Sequence, residues 1–217
     1  MRCARDSLLL YAVTDRSWTG RQTLLQQVEA ALKGGVTCVQ LREKSLSRDA
    51  FLSEAQSIAR LCARYQVPFI VNDDVDIAIA SGAQGIHVGQ EDMHPALVRQ
   101  QVGEGMIVGV SVQTVAEARQ AADSGADYLG VGAIFPTATK QDAALVDKDE
   151  LAAICAAVPI PVVAIGGITR DNLMELSGTG VAGVALVSAI FAAQDISGAC
   201  RTLCQLTQWI VQGAGAE

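Results

Sequence analysis

Two short stretches concentrate the residue types that can do chemistry: Phe69-Ile70-Val71-Asn72-Asp73-Asp74 and Ile86-His87-Val88-Gly89-Gln90-Glu91-Asp92. Each is an apolar run that ends abruptly in carboxylates and amides. Oxygen donors at the ends of two successive buried strands suit a hard divalent cation such as Mg²⁺. If both strands run the same way, Asp73 and Asp92 share one ion. Either carboxylate could instead cap the helix that follows it. Asp74 or Asp76 would serve the first helix equally well, which frees Asp73. The chain has 2 histidines, His87 and His94, and they form no ligand pair, so zinc is not expected. His87 reads as a packed strand residue.

A second group is cationic. Gln40, Arg42 and Lys44 alternate along an extended segment, so they share one face. One amide donor, one guanidinium fork and one point charge make a cradle for phosphate oxygens. The alternative for Arg42 is a surface ion pair with Glu43 or Asp49. Thr137, Thr139 and Lys140 form a hydroxyl-rich loop that ends in a cation and can wrap an anion. The alternative is an ordinary turn after Pro136.

These groups need a scaffold that puts them on one side, and a repeat supplies it. Glycine, a small apolar residue, two variable positions and an apolar-any-apolar run recur at residues 35–41, 82–88, 125–131 and 180–186. A glycine that ends a helix in the left-handed conformation, followed at once by a buried strand, accounts for the pattern. Four more apolar runs lie at 8–13, 69–71, 106–110 and 162–165. Helical patterns separate the eight, over 23–33, 49–65, 75–80, 95–102, 114–124, 148–157, 171–177 and 196–209. Pro95 suits a first helical turn, and Thr114 and Asp171 suit helix starts.

Eight strands alternating with eight helices predict an α/β fold, a single (β/α)8 TIM barrel spanning 1–217 as one domain. A doubly wound sheet is the alternative, but no glycine-rich dinucleotide fingerprint follows the first strand. In a barrel, chemistry belongs at the C-terminal strand ends. There the sequence places Gln40, Arg42 and Lys44, then Asn72 and Asp73, Asp92, Ser111, and the 137–140 loop. Gly166-Gly167 and Val187-Ser188 follow strands 7 and 8, where barrels often bind phosphate. The opposite ends carry Gly, Ala, Val and Pro.

Bulk properties narrow the function classes. The chain is 217 residues, 50% hydrophobic and only 4% aromatic, which suits a parallel sheet covered by helices. Its net charge of −7 and lack of a basic face argue against a nucleic-acid partner. Arg2 and Arg5 before Leu8-Leu9-Leu10 mimic a signal peptide, but the apolar run is too short. The apolar stretch over 181–193 falls short of the ~20 residues that span a bilayer, so no membrane partner is expected. The 6 cysteines are scattered and read as reduced packing residues of a cytoplasmic protein. A homo-oligomer is compatible with these features.

Together the motifs resemble the thiamine phosphate synthase (thiamine-phosphate pyrophosphorylase) family from Thr14-Asp15-Arg16 to Val187-Ser188-Ala189-Ile190. The specific pieces are Gln40-Leu41-Arg42-Glu43-Lys44, Asn72-Asp73, His87-Val88-Gly89-Gln90-Glu91-Asp92, Pro136-Thr137-Ala138-Thr139-Lys140 and Ile165-Gly166-Gly167-Ile168. The resemblance implies that a pyrimidinylmethyl diphosphate and a thiazole phosphate, both small molecules, are joined to give thiamine phosphate and diphosphate. It implies Mg²⁺ on Asp73 and Asp92, and diphosphate contacts from Arg42, Lys44, Asn72 and Lys140. Gln40 and Ser111 match pyrimidine-side contacts. Thr137, Thr139, Gly167, Val187 and Ser188 match thiazole-phosphate contacts.

The chain departs from the family at Asp74, where arginine is common, and in the 141–147 loop, which lacks a usual glycine. A thiazole tautomerase of the same barrel family is the nearest rival. It would lack the second acidic motif and the Pro-Thr-x-Thr-Lys loop, and would carry histidine where this chain has Gln113. A non-catalytic phosphate-binding barrel is the rival from another class, and it has no need of paired carboxylates.

Overall fold

The computed structural model describes residues 3–20, 22–137 and 144–213. Eight strands close into a barrel in sequence order: β1 Leu10–Val13, β2 Cys38–Leu41, β3 Phe69–Asn72, β4 Gly85–Val88, β5 Ile107–Val112, β6 Tyr128–Val131, β7 Val162–Ile165 and β8 Gly183–Leu186. Every neighbouring pair is parallel, including β1 with β8. All C-terminal strand ends therefore meet on one rim, as the (β/α)8 reading requires.

The repeat glycines do what the pattern implied. Gly35, Gly82, Gly125 and Gly180 all have positive φ, between 73° and 94°. Each turns the chain out of a helical segment so that the next strand can enter the barrel.

The helices are α1 Leu24–Lys33, α2 Arg48–Tyr65, α3 Val75–Ser81, α4 Pro95–Val102, α5 Val115–Asp123, α6 Lys148–Ala157, α7 Ser188–Phe191 and α8 Ile196–Gln212. Side chains start most of them. Thr23 and Gln26 form a reciprocal capping box on α1, and Thr114 accepts from the Glu117 amide at α5. Pro95 opens α4 as expected.

Two expectations change. Residues 171–177 form no α-helix; a 3-10 turn, Leu173–Leu176, covers that side instead. The cause is Asn172, not Asp171. The Asn172 side chain accepts from the Thr169 amide at 2.7 Å and donates to the Gly167 carbonyl at 2.9 Å, holding the segment as a turn. Leu8 belongs to a 3-10 turn, Arg5–Leu8, and β1 begins at Leu10.

Strand alternation divides the core into two layers. Leu10, Ala12, Val39, Leu41 and Val71 face the helices. Tyr11, Val13, Cys38, Ile70, Ile107, Tyr128 and Val163 fill the barrel interior. Cys3, Cys38, Cys62 and Cys200 are buried free thiols, in keeping with packing roles. The N-terminal rim is held by a structural ion pair the sequence did not signal. Arg99 meets Asp127 at 2.6 Å and also binds the carbonyls of Gly103, Met106 and Gly125. Among the described residues, no helix is long and apolar enough to cross a membrane.

Candidate active site

A cavity of about 160 Å³ opens at the C-terminal rim. Gln40, Arg42, Asn72, Thr137, Gly167, Val187 and Ser188 all line it, drawn from the ends of β2, β3, β6, β7 and β8. Seven of the expected binding residues are thus brought to one place. Thr139 and Lys140 lie outside the described residues.

Arg42 reaches the cavity from a fixed strand end. Its backbone amide binds Thr14 Oγ1 at 3.1 Å, which fixes the strand end. Its guanidinium has Asp15 as ion-pair partner, at a loose 3.7 Å, and does not pair with Glu43 or Asp49. Glu43 is taken by Arg16, which also grips Glu54. Nothing in the sequence gave Asp15 and Arg16 these partners.

Glu43 shapes the loop that carries Lys44. Its Oε1 accepts from the amides of Lys44, Ser45 and Leu46 at 2.7–3.2 Å. Burial opposes the charge, but these hydrogen bonds and Arg16 outweigh it and hold the carboxyl down at about 2. The unfolded chain has the ordinary value of 4.5. Folding therefore gains stability from Glu43 that is full above the ordinary value and is lost as pH falls toward the folded one. We expect Glu43→Gln to show a smaller drop in melting temperature between about pH 5 and about pH 3 than the parent protein. Equal drops in the two proteins would contradict the assignment.

The acidic pair lies beside this loop. Asp73 has a left-handed backbone, φ 66°, uncommon for a non-glycine residue. Its amide binds the His87 carbonyl at 2.9 Å, and its carboxylate pairs with Lys44 while Asp74 caps the helix that follows. Asp74 caps α3 by accepting from the Ile77 amide at 2.9 Å. The departure at Asp74 thus has a structural role and leaves Asp73 free, as the sequence suggested. Similarly, His94 caps α4, so Asp92 is not used as its cap. Asp92 Oδ2 instead accepts from the Gly89 amide at 2.7 Å.

Asp73 and Asp92 lie close enough to influence each other's charge. Burial pushes the Asp73 carboxyl up; the Lys44 ammonium, 2.5 Å from Oδ2, pulls it down, and Asp92 pushes it up again. A crowded carboxylate pair with one ammonium is a donor set that gains from another cation. Among the described residues there is no group of three or more His, Cys, Asp or Glu that could hold a metal ion. Two carboxylates still fit Mg²⁺, which typically takes one or two and keeps waters or substrate phosphates on its other positions.

Ser111 reaches the site through groups that sequence reasoning missed. His87 Nε2 lies 2.9 Å from Ser111 Oγ, and His87 Nδ1 lies 2.9 Å from Tyr128 Oη. Tyr128 Oη is 2.7 Å from Tyr11 Oη, which accepts from Gln40 Nε2 at 2.8 Å. His87 is buried as expected, yet both ring nitrogens are engaged. Burial holds its imidazole down at about 4, so the ring is neutral near pH 7.

Gly167 explains the shape of the β7 end. Its φ is +64°, and a Cβ there would lie 2.5 Å from the carbonyl oxygens of Phe135 and Pro136. Only glycine lets the loop after β6 close against β7 and bring Thr137 to the cavity.

The closed parallel barrel and its one polar, anion-ready rim define a (β/α)8 enzyme. Comparison with known proteins makes this specific. Residues 10–190 match the family model described as thiamine monophosphate synthase. The thiamine-phosphate synthase of Enterococcus faecalis is 47% identical over 208 residues, covering 96% of this chain and 98% of the relative. That of Ruminiclostridium cellulolyticum is 46% identical, covering 91% and 94%. The solved thiamine phosphate pyrophosphorylase from Pyrococcus furiosus superposes with a TM-score of 0.88 at 37% identity, covering 95% of this chain and 98% of that one. The chain belongs to the thiamine monophosphate synthase family and is an enzyme of that type.

Proposed function

We propose that this enzyme joins 4-amino-2-methyl-5-pyrimidinylmethyl diphosphate to a thiazole phosphate, releasing diphosphate and giving thiamine phosphate. The observation that carries the reading is one cavity lined by Arg42, Asn72, Thr137, Gly167 and Ser188; Asp73 directly follows the lining residue Asn72, pairs with Lys44 and interacts with Asp92.

The chemistry asks for charge stabilisation and positioning. The C–O bond between the pyrimidinyl methylene and the diphosphate breaks, and its electron pair leaves on the diphosphate oxygen. The thiazole nitrogen already carries a lone pair and forms the new C–N bond, so no general base is needed. The aminopyrimidine can delocalise positive charge on the methylene, which favours a dissociative path. Mg²⁺ held by Asp73 and Asp92 would supply positive charge to the departing diphosphate. Arg42 and Lys44 stabilise the same developing anion, and Asn72 donates to it. Gln40 and Ser111 orient the pyrimidine. Thr137, Gly167, Val187 and Ser188 seat the thiazole phosphate. The family resemblance adds Thr139 to that seat and Lys140 to the diphosphate contacts.

Formation of thiamine phosphate, followed by mass spectrometry with both substrates and with each alone, tests the reading. Product only when both are present is expected. Isomerisation of a thiazole alone would identify a tautomerase, and binding without turnover would identify a sensor.

A further inference from the structure

We propose that Tyr11, Tyr128 and His87 form a directional hydrogen-bond relay across the barrel interior, which couples the faces that Gln40 and Ser111 present to the pyrimidine. The inference rests on the pyrimidine reading of this site and extends it to three positioning residues.

The relay is continuous. It runs from Gln40 Nε2 to Tyr11 Oη at 2.8 Å, to Tyr128 Oη at 2.7 Å, to His87 Nδ1 at 2.9 Å, and from His87 Nε2 to Ser111 Oγ at 2.9 Å. Gln40, Tyr11, Tyr128 and His87 are each at most 8% exposed. The strands are also built around it. A Cβ on Gly109 of β5 would lie 2.1 Å from Tyr128 Cζ and 2.3 Å from its Oη. A Cβ on Gly130 of β6 would come within 3.2 Å of His87 Cε1. Two interior positions that a barrel usually fills with branched apolar residues are instead cleared for a phenol and an imidazole.

The tautomer of His87 sets the direction of the relay at its Ser111 end. Each tyrosine hydroxyl has one proton to donate, and a neutral imidazole has one N–H. The relay takes Gln40 as donor to Tyr11, Tyr11 as donor to Tyr128 and Tyr128 as donor to His87 Nδ1. The imidazole proton then sits on Nε2 and is donated to Ser111. Half-buried Ser111 keeps its own proton for a ligand, while Gln40, which lines the cavity, keeps Oε1. One end offers an acceptor and the other a donor, matching the amino group and a ring nitrogen of an aminopyrimidine. Reversing the Tyr128–His87 link puts the imidazole proton on Nδ1 and makes Ser111 the donor to Nε2.

The chain has 2 histidines, so ¹⁵N-histidine NMR on the whole protein reads the relay directly. We expect His87 to be the Nε2–H tautomer, free and with the pyrimidine diphosphate bound. Tyr128→Phe removes the donor to Nδ1. It is expected to give a tautomer mixture and roughly a tenfold rise in KM for the pyrimidine diphosphate, the value of one buried hydrogen bond. The thiazole phosphate KM should stay within about twofold, as the relay touches no residue assigned to that substrate. An Nδ1–H tautomer in the parent protein overturns the relay, whether or not the variant folds. So does a folded Tyr128→Phe protein with unchanged tautomer and unchanged KM. If the parent protein makes no thiamine phosphate, the pyrimidine reading fails; the tautomer of the free protein still tests the relay itself.

Discussion

Replacing Asp92 by asparagine is expected to lower turnover at least ~100-fold while the barrel stays folded, the loss that removal of a charged metal ligand produces. The side chain keeps its shape, and its oxygen can still accept from the Gly89 amide that Asp92 Oδ2 now holds at 2.7 Å. The substitution also removes the like charge that pushes Asp73 up. Melting temperature should therefore hold steady or rise. Loss of activity without loss of stability separates a metal ligand from a structural carboxylate. Near-parental turnover at limiting Mg²⁺ would remove Asp92 from the metal site.

The second large effect is expected at Arg42. Arg42→Met should lower kcat/KM for the pyrimidine diphosphate roughly 100-fold, in the range for losing a charged partner of a desolvated anion. Methionine fills much of the same space, and the amide bond to Thr14 Oγ1 does not depend on the side chain. The guanidinium's 3.7 Å pairing with Asp15 is too loose to anchor the fold. A melting temperature that falls in step with activity would instead make Arg42 a structural residue. Steady-state kinetics beside thermal unfolding decides between the two.

Much of this site was legible because parallel strands convert sequence order into spatial order. The left-handed glycines at 35, 82, 125 and 180 marked where strands begin, and the polar residues after each apolar run marked the functional rim. Asp73 was separable from Asp74 on capping grounds alone, and the Ile77 bond to Asp74 bears that out.

What stayed hidden depends on side chains that meet across the barrel. Tyr11 and Tyr128 are 117 positions apart, and His87 reaches Tyr128 over 41. No periodicity links such residues, so each reads singly as core. The 3-10 turn at Leu173–Leu176 was hidden for a related reason. Its apolar spacing resembles a helix, and only the Asn172 bonds to Thr169 and Gly167 show that the chain is held otherwise.

The proposed reaction requires Asp73 and Asp92 to hold a Mg²⁺ that helps to bind the leaving diphosphate. Calorimetric titration of the protein with inorganic diphosphate, with and without Mg²⁺, tests this most directly. Binding that requires Mg²⁺, and that Asp92→Asn loses, is the expected result. Equal affinity with and without Mg²⁺ would contradict it.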